Sequence, residues 1–341
     1  MRRARPVLGA RTGATSRLSS AGLAWIRPPP LRPGDIVRVV APSGPIDRAV
    51  LERGLAVLRD RLGLRVRVRP DVTARQGYLA GGDARRLEEW REAAGDPEAR
   101  AIFCARGGYG AMRLLPDLDP ARLLDPAKWF VGFSDTTAIH AALNQAGLVT
   151  VHGPMVSTLG RATGTARSIE HLRALLFGRT DAPASEPGAL PPGSGCIAGG
   201  VIRAGRASGR LLGGSLSLLA HLCGSPWGPR FADAVLFFED IDEKPYRLDR
   251  YLTQLRLSGA LEGVRAVCVG QLTGCDHAEQ RGAETVRRIV RDLGVPAIDG
   301  IAAGHEEPND ALPLGARVTV IAPGSQGEGP PRLLFDEEQA A

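Results

Sequence analysis

Ile36-Val-Arg-Val-Val-Ala-Pro-Ser-Gly-Pro, residues 36–45, is a short valine-rich run that stops abruptly in a proline-glycine turn. It is too short for a helix and reads as a buried strand followed by a turn. The period then changes. Leu51, Leu55, Leu58 and Leu62 recur at i, i+4, i+7 and i+11, which places them on one helix face. Asp47 is expected to cap that helix and Gly63 to end it. The alternation continues downstream. Strands are predicted at 64–68, 101–105, 129–133 and 148–152, with helices begun by Asp83 and Asp135, the second ended by Gly147. Strand and helix in strict alternation imply a mostly parallel, doubly wound α/β sheet covered on both faces, here over residues 31–177. Ligands of such sheets bind at the carboxyl ends of the strands. The loops to read are therefore Pro42-Ser-Gly-Pro, Arg106-Gly-Gly-Tyr-Gly and Ser134-Asp-Thr-Thr.

On the C-terminal side, residues 178–196 are dominated by proline and glycine without periodicity and read as a linker. Residues 197–335 form a second, smaller α/β domain in this reading, with strands near 209–212, 234–238, 266–269 and 317–321 and helices at 215–223, 247–258 and 283–293. On the N-terminal side, residues 1–30 read as a disordered basic leader. A twin-arginine export signal at Arg2-Arg3 is not supported, because Arg11, Thr12, Arg17 and Ser19 interrupt the apolar stretch it requires. No uninterrupted apolar window is long enough to span a bilayer, so no membrane partner is expected.

Composition narrows the function classes. Hydrophobic residues make up 43% of the 341 and charged residues 23%, enough to bury a sizeable core. The net charge of +6 is nearly all arginine, with lysine only at 128 and 244, and part of it lies in the leader. Basic stretches do not interleave with aromatics, so no nucleic-acid partner is expected. The five cysteines (104, 196, 223, 268, 275) are odd in number and none has CxxC spacing. Neither a disulfide framework nor a zinc site is indicated, which suits a reducing cytoplasm.

Four segments carry candidate chemistry. Ser134 sits where an apolar strand turns into a helix, where helix-start N–H groups can hold developing negative charge. The same position suits a plain helix cap, and the second glycine of a Gly-x-Ser-x-Gly elbow is missing. The glycines of Arg106-Gly-Gly-Tyr-Gly permit close backbone approach to a ligand, or simply make a tight turn. They match no dinucleotide or P-loop fingerprint, and no cofactor is implied. Glu239 and Asp240 end an apolar strand; with no ligand-spaced histidine nearby, a metal site is not expected. Of six histidines, His305 lies in a polar glycine-rich loop and is the best-placed base. His140 and His221 read as helix packing or surface residues, His171 and His277 as exposed, and His152 as a candidate to line a cleft.

Taken together, the motifs Gly34-Asp-x-Val-x-Val-Val-Ala-Pro-Ser-Gly, Arg106-Gly-Gly-Tyr-Gly, Gly132-Phe-Ser-Asp-Thr-Thr-Ala, His152-Gly-Pro-Met, Gly213-Gly-Ser-Leu, Glu239-Asp-Ile-x-Glu-x-Pro-Tyr-Arg-x-Asp-Arg and Gly304-His-x-x-x-Asn-x-x-Leu-Pro-Leu-Gly resemble, in order, the LD-carboxypeptidase family of serine peptidases. That family includes muramoyl-tetrapeptide carboxypeptidases and microcin C immunity peptidases. The resemblance implies a catalytic triad of Ser134, Glu239 and His305. It implies an oxyanion hole from Asp135 and either Gly107 or Gly108, in a cleft between two domains of a homodimer. It implies a small murein-tetrapeptide-like substrate with an LD amide bond to terminal D-Ala, and no metal. Arg106 and Arg247 are candidates for the substrate carboxylate. Ser215 stands where many members have Asn and is a candidate for substrate preference. The rival readings are a peptidase acting on peptidyl-nucleotide antibiotics, which would call for aromatic side chains beside Ser134, and a non-catalytic binding protein on the same frame. An amidotransferase-like activity is disfavoured because the elbow residue is Ser, not Cys.

Overall fold

The computed structural model describes residues 24–161, 166–178, 194–324 and 329–336. The valine-rich run is β1 (Ile36–Val40), buried within the first sheet. It leads into α1 (Arg48–Ala56), where the Asp47 carboxylate accepts the N–H groups of Ala49 and Val50 at 2.9 and 3.1 Å. A π-helical turn, Val57–Arg61, continues the helix, so Leu58 and Leu62 stay buried with Leu51 and Leu55. Each such leucine contributes roughly 1.5–3 kcal/mol by leaving water. Gly63, at φ +69°, ends the helix in the left-handed conformation expected of it.

The alternation then runs β2 (Arg65–Val68), α2 (Asp83–Gly95), β3 (Ala99–Cys104), β4 (Trp129–Gly132), α3 (Thr137–Gln145), β5 (Thr150–His152), α4 (Val156–Leu159) and α5 (Ala166–Phe177). One start differs from the expectation. Gly82, not Asp83, is at the cap of α2, and the Asp83 carboxylate binds Arg86 and Arg113 instead of backbone N–H groups. Two guanidinium partners outcompete two amides for one carboxylate. Strands β1 to β5 are all parallel, in the order β5-β4-β3-β1-β2. The chain reverses its direction of travel between β1 and β3, and the loops that follow these strands meet there: Gly44 N–H donates to the Gly107 carbonyl at 3.0 Å.

The second region comprises β6 (Gly195–Ile197), β7 (Gly200–Arg203), β8 (Gly205–Ser215), α6 (Leu216–Leu222), β9 (Ala234–Ile241), α7 (Pro245–Leu257), β10 (Ala266–Thr273), α8 (Gly282–Arg291), β11 (Ala297–Asp299), β12 (Leu312–Leu314), β13 (Arg317–Ala322) and β14 (Arg332–Phe335). Its sheet is eight-stranded, against six strands in the first. The strands β8, β9, β10 and β11 are parallel, flanked by antiparallel β7 on one side and β13, β14 and β6 on the other.

One strand changes sheets. β12 pairs antiparallel with β5 at the edge of the first sheet, with Leu312 opposite His152. Pro313 is tolerated there because an edge strand need not donate on its outer side. Leu312 and Leu314 pack at the same time into the core of the second region.

Two expected boundaries are corrected. Ile26 exchanges backbone hydrogen bonds with Gly147 and Val149, and the Pro29 carbonyl accepts the Trp129 indole N–H, so residues 24–30 are part of the fold and not of a leader. Gly195 and Cys196, placed in the linker, belong to β6. The rest of the leader, 1–23, and most of the linker, 179–193, lie outside the described residues. No helix among the described residues is long and apolar enough to cross a membrane.

Candidate active site

Ser134 follows the fully buried β4 and an extended Phe133. Its φ of +62° lies in the left-handed region, a conformation that costs a non-glycine residue about 1–3 kcal/mol. The turn Ser134–Thr136 is a short 3-10 helix feeding α3, whose cap position is Thr136. Ser134 is therefore not the helix cap. Its Oγ lies 3.0 Å from His305 Nε2. The other ring nitrogen, Nδ1, is 2.7 Å from Glu239 Oε2. Three side chains spread over 171 positions of sequence thus form one hydrogen-bonded chain.

The two loops beside Ser134 are held tightly. Gly107 sits tightly against the elbow, since a Cβ there would stand 3.0 Å from the Ser134 Cβ and 3.1 Å from its Oγ. The Asp135 carboxylate accepts the Ala111 N–H at 2.8 Å and ties the glycine loop to the elbow. Arg86, fully buried, reaches both the Pro42 carbonyl and, at 2.9 Å, the Gly110 carbonyl. It joins the β1 loop to the β3 loop. Nothing in its sequence context distinguishes it from other helix-surface arginines, and the sequence reading missed it.

Glu239 lies at the carboxyl end of β9, paired in register with Ser215, and is wholly buried. His305 comes from the irregular segment between β11 and β12. Gly304 precedes it at φ +144°, and a Cβ there would sit 3.1 Å from Glu239 Oε2. Only glycine allows the loop to come this close. Gln271 on β10 grips both sides of the loop, accepting the Glu306 N–H at 2.7 Å and donating to the Pro308 carbonyl at 2.9 Å. From the other domain, α5 holds it as well. Arg167 makes a two-pronged ion pair with the buried Asp310 at 3.0 and 2.6 Å, and Ser168 Oγ accepts the Asn309 N–H at 2.9 Å.

Burial opposes protonation of His305, but the Glu239 hydrogen bond and charge, with Asp240 behind, outweigh it and hold the imidazole above 6.5. Asp240 is itself pushed up to about 7 by burial and by the neighbouring Glu239, against N–H groups donated by Ser217 and Ile241. A serine hydroxyl on a histidine, with that histidine on a buried carboxylate, is the arrangement that activates a nucleophile.

The other histidines play different parts. Burial drives the His140 pKa down to about 4, against its hydrogen bond to the Gly132 carbonyl; its other ring nitrogen lies 2.8 Å from Thr150 Oγ1. His152 does not line an open cleft. It is fully buried between Phe133 and Phe237, ring centroids 5.7 and 5.0 Å away, with neither nitrogen hydrogen-bonded to another described residue. His171, read as exposed, is buried. Its proximity to Cys196 and Asp310 resembles a metal cluster. However, Arg167 already engages both Asp310 oxygens, and its positive charge opposes a cation there.

Of the tentative binding residues, Arg106 is exposed with its guanidinium on the Pro45 carbonyl at 2.8 Å, and Arg247 pairs with Glu243 at 3.3 Å. Ser215 is 3% exposed. Its N–H donates to Thr137 Oγ1 and its Oγ lies 3.2 Å from Ser217 Oγ, so it joins the two domains behind the site.

Comparison with known proteins identifies the family. The LD-carboxypeptidase N-terminal domain model matches residues 37–153, and the LD-carboxypeptidase C-terminal domain model matches 208–320. A putative carboxypeptidase of Streptomyces coelicolor is 41% identical over 85% of this chain and 91% of its own. The murein tetrapeptide carboxypeptidase of Pseudomonas aeruginosa is 34% identical over 82% of this chain and 91% of its own. The crystal structure of muramoyltetrapeptide carboxypeptidase from Oxalobacter formigenes superposes with a TM-score of 0.77 at 30% identity, covering 89% of this chain and 99% of that one. With both family domains in order, and relatives above 30% identity along most of its length, the chain belongs to the LD-carboxypeptidase family of serine-type peptidases.

Proposed function

We propose that this protein is a serine carboxypeptidase that hydrolyses an LD amide bond and releases terminal D-Ala from murein tetrapeptide. The observation that carries the reading is the continuous Ser134–His305–Glu239 hydrogen-bond chain, with both steps at or below 3.0 Å. His305 takes the Ser134 proton and passes it to the leaving amine. Glu239 fixes the imidazole tautomer and stabilises the imidazolium. The N–H groups of Asp135 and of Gly107 or Gly108 hold the oxyanion, each worth about 3–4 kcal/mol in comparable sites. Water then clears the acyl-enzyme. This chemistry uses no metal, so a chelator is expected to leave the rate unchanged.

A second reading, a peptidase of peptidyl-nucleotides, draws on one feature. Tyr78 and Tyr109, 65% and 52% exposed, form an edge-to-face pair with centroids 5.4 Å apart beside the glycine loop, and a base could stack there. Mass spectrometry of products from murein tetrapeptide and from a peptidyl-adenylate, run side by side, separates the two. Release of D-Ala supports the first reading, and cleavage of the adenylate alone replaces it with the second. We assign the protein to the cytoplasm, since all five cysteines are free thiols. We further propose a homodimer, which light scattering of the purified protein tests.

A further inference from the structure

The two oxyanion donors of the proposed mechanism sit on separate loops. Asp135 belongs to the elbow after β4, and Gly107 and Gly108 to the loop after β3. Such donors stabilise a developing charge only while their spacing holds, because a donor moved off the oxyanion position contributes little.

Two peptide planes of the glycine loop are gripped from outside it. The Gly107 carbonyl accepts the Gly44 N–H at 3.0 Å, which orients the plane that also carries the Gly108 N–H. The peptide joining Gly110 to Ala111 is held at both poles. Its carbonyl accepts from the buried Arg86 guanidinium at 2.9 Å, and its N–H donates to the Asp135 carboxylate at 2.8 Å. Gly110 stands at φ +127°, a conformation that favours glycine. Asp135 is only 3% exposed, so little solvent competes for its carboxylate, and hydrogen bonds to a charged acceptor are the stronger kind. One residue therefore carries a proposed donor on its backbone and holds the loop of the other donor with its side chain.

We infer that the Asp135 carboxylate is a positioning residue for the oxyanion hole, an inference that rests on the serine-hydrolase reading above. With Arg86 it fixes the peptide between Gly110 and Ala111, and so sets the spacing between the donor on its own backbone and the donor on the glycine loop.

The test compares Asp135→Ala, Asp135→Ser and Asp135→Asn by kcat, KM and affinity for a tripeptide boronic acid in which boron replaces the scissile carbonyl carbon. Ser134 Oγ donates a lone pair to boron while its proton passes to His305, and the tetrahedral anion puts an oxygen where the oxyanion forms. Rates are scaled to the fraction folded by near-UV circular dichroism, so a variant that only loses stability keeps its kcat and its boronate affinity. Asp135→Ala and Asp135→Ser should each lower kcat about 10- to 100-fold and weaken the boronate by a matching factor, with KM changed less than about 3-fold. Asp135→Ser adds no bulk and carries the test if Asp135→Ala does not fold. Asp135→Asn, whose amide oxygen can still accept the Ala111 N–H, should stay within about 5-fold of wild type on both measures. Wild-type kcat in the Ala or Ser variant, a loss of kcat without a matching loss of boronate affinity, or an Asn variant as impaired as Ala overturns the inference. If the boronate binds Ser134→Ala as tightly as wild type, the nucleophile reading fails and takes this inference with it, whatever the Asp135 variants do.

Discussion

The elbow around Ser134 and the loop around His305 reach the same point by opposite means. The elbow is made locally. A buried strand, a strained residue and a helix follow one another within residues 129–145, and neighbouring sequence supplies most of the constraint. The His305 loop has no regular structure from 300 to 311. It is held by Gln271 from β10, by Arg167 and Ser168 from α5, and by β12 pairing with the far sheet. A nucleophile can thus be built by its own segment, whereas a base that must face it across a domain seam is placed by others.

Ser134→Ala and His305→Ala test the point where the regions meet. Each is expected to lower D-Ala release by about 10⁴-fold or more with unchanged far-UV circular dichroism. If Ser134→Ala keeps wild-type turnover, the nucleophile is elsewhere. Glu239→Gln probes the loop's electrostatics. A loss of roughly 10³- to 10⁴-fold is expected from the disturbed tautomer. His305 must be neutral to accept a proton, so wild-type kcat/KM should fall as pH drops through the raised His305 pKa, above 6.5. Without the Glu239 charge that acidic limb should move to lower pH, and a pH–rate profile with the limb unmoved would remove Glu239 from this role.

Arg167→Ala sharpens the comparison, because it alters only the borrowed support. It strands the buried Asp310 carboxylate, and the pair is partly exposed on the arginine side, so a stability loss of about 2–3 kcal/mol is expected in urea, together with a lower kcat. An unaffected kcat would show that β12 and Gln271 suffice. Ser215→Ala should matter least. Its hydroxyl faces Ser217 and Asp240 behind the site, so kcat/KM is expected to change less than about 3-fold, with stability within about 1 kcal/mol of wild type. A large KM effect would place Ser215 in contact with substrate after all.

The same contrast explains what could be read from the chain. Hydrophobic period and turn chemistry are local, so they were enough for the succession of strands from β1 to β5, for α1 with its Asp47 cap, and for α6, α7 and α8 of the second region. Short strands such as β7, β11 and β12, of three or four residues, carry too little pattern to be seen. Asp83 was misplaced because its partners, Arg86 and Arg113, are decided by packing.

For the site, sequence alone determined which residue types were available: a serine at a strand-to-helix turn, an acid ending an apolar strand, a histidine in a glycine-rich loop. Only the tertiary structure decided that these three touch. It also decided that Arg86 ties the loop after β1 to the loop after β3, and that Arg106 and Arg247 have other partners. The physical reason is range. A strand or a helix is set by neighbours a few positions away, but a hydrogen bond spanning 171 positions exists only after two sheets have packed and one strand has crossed between them.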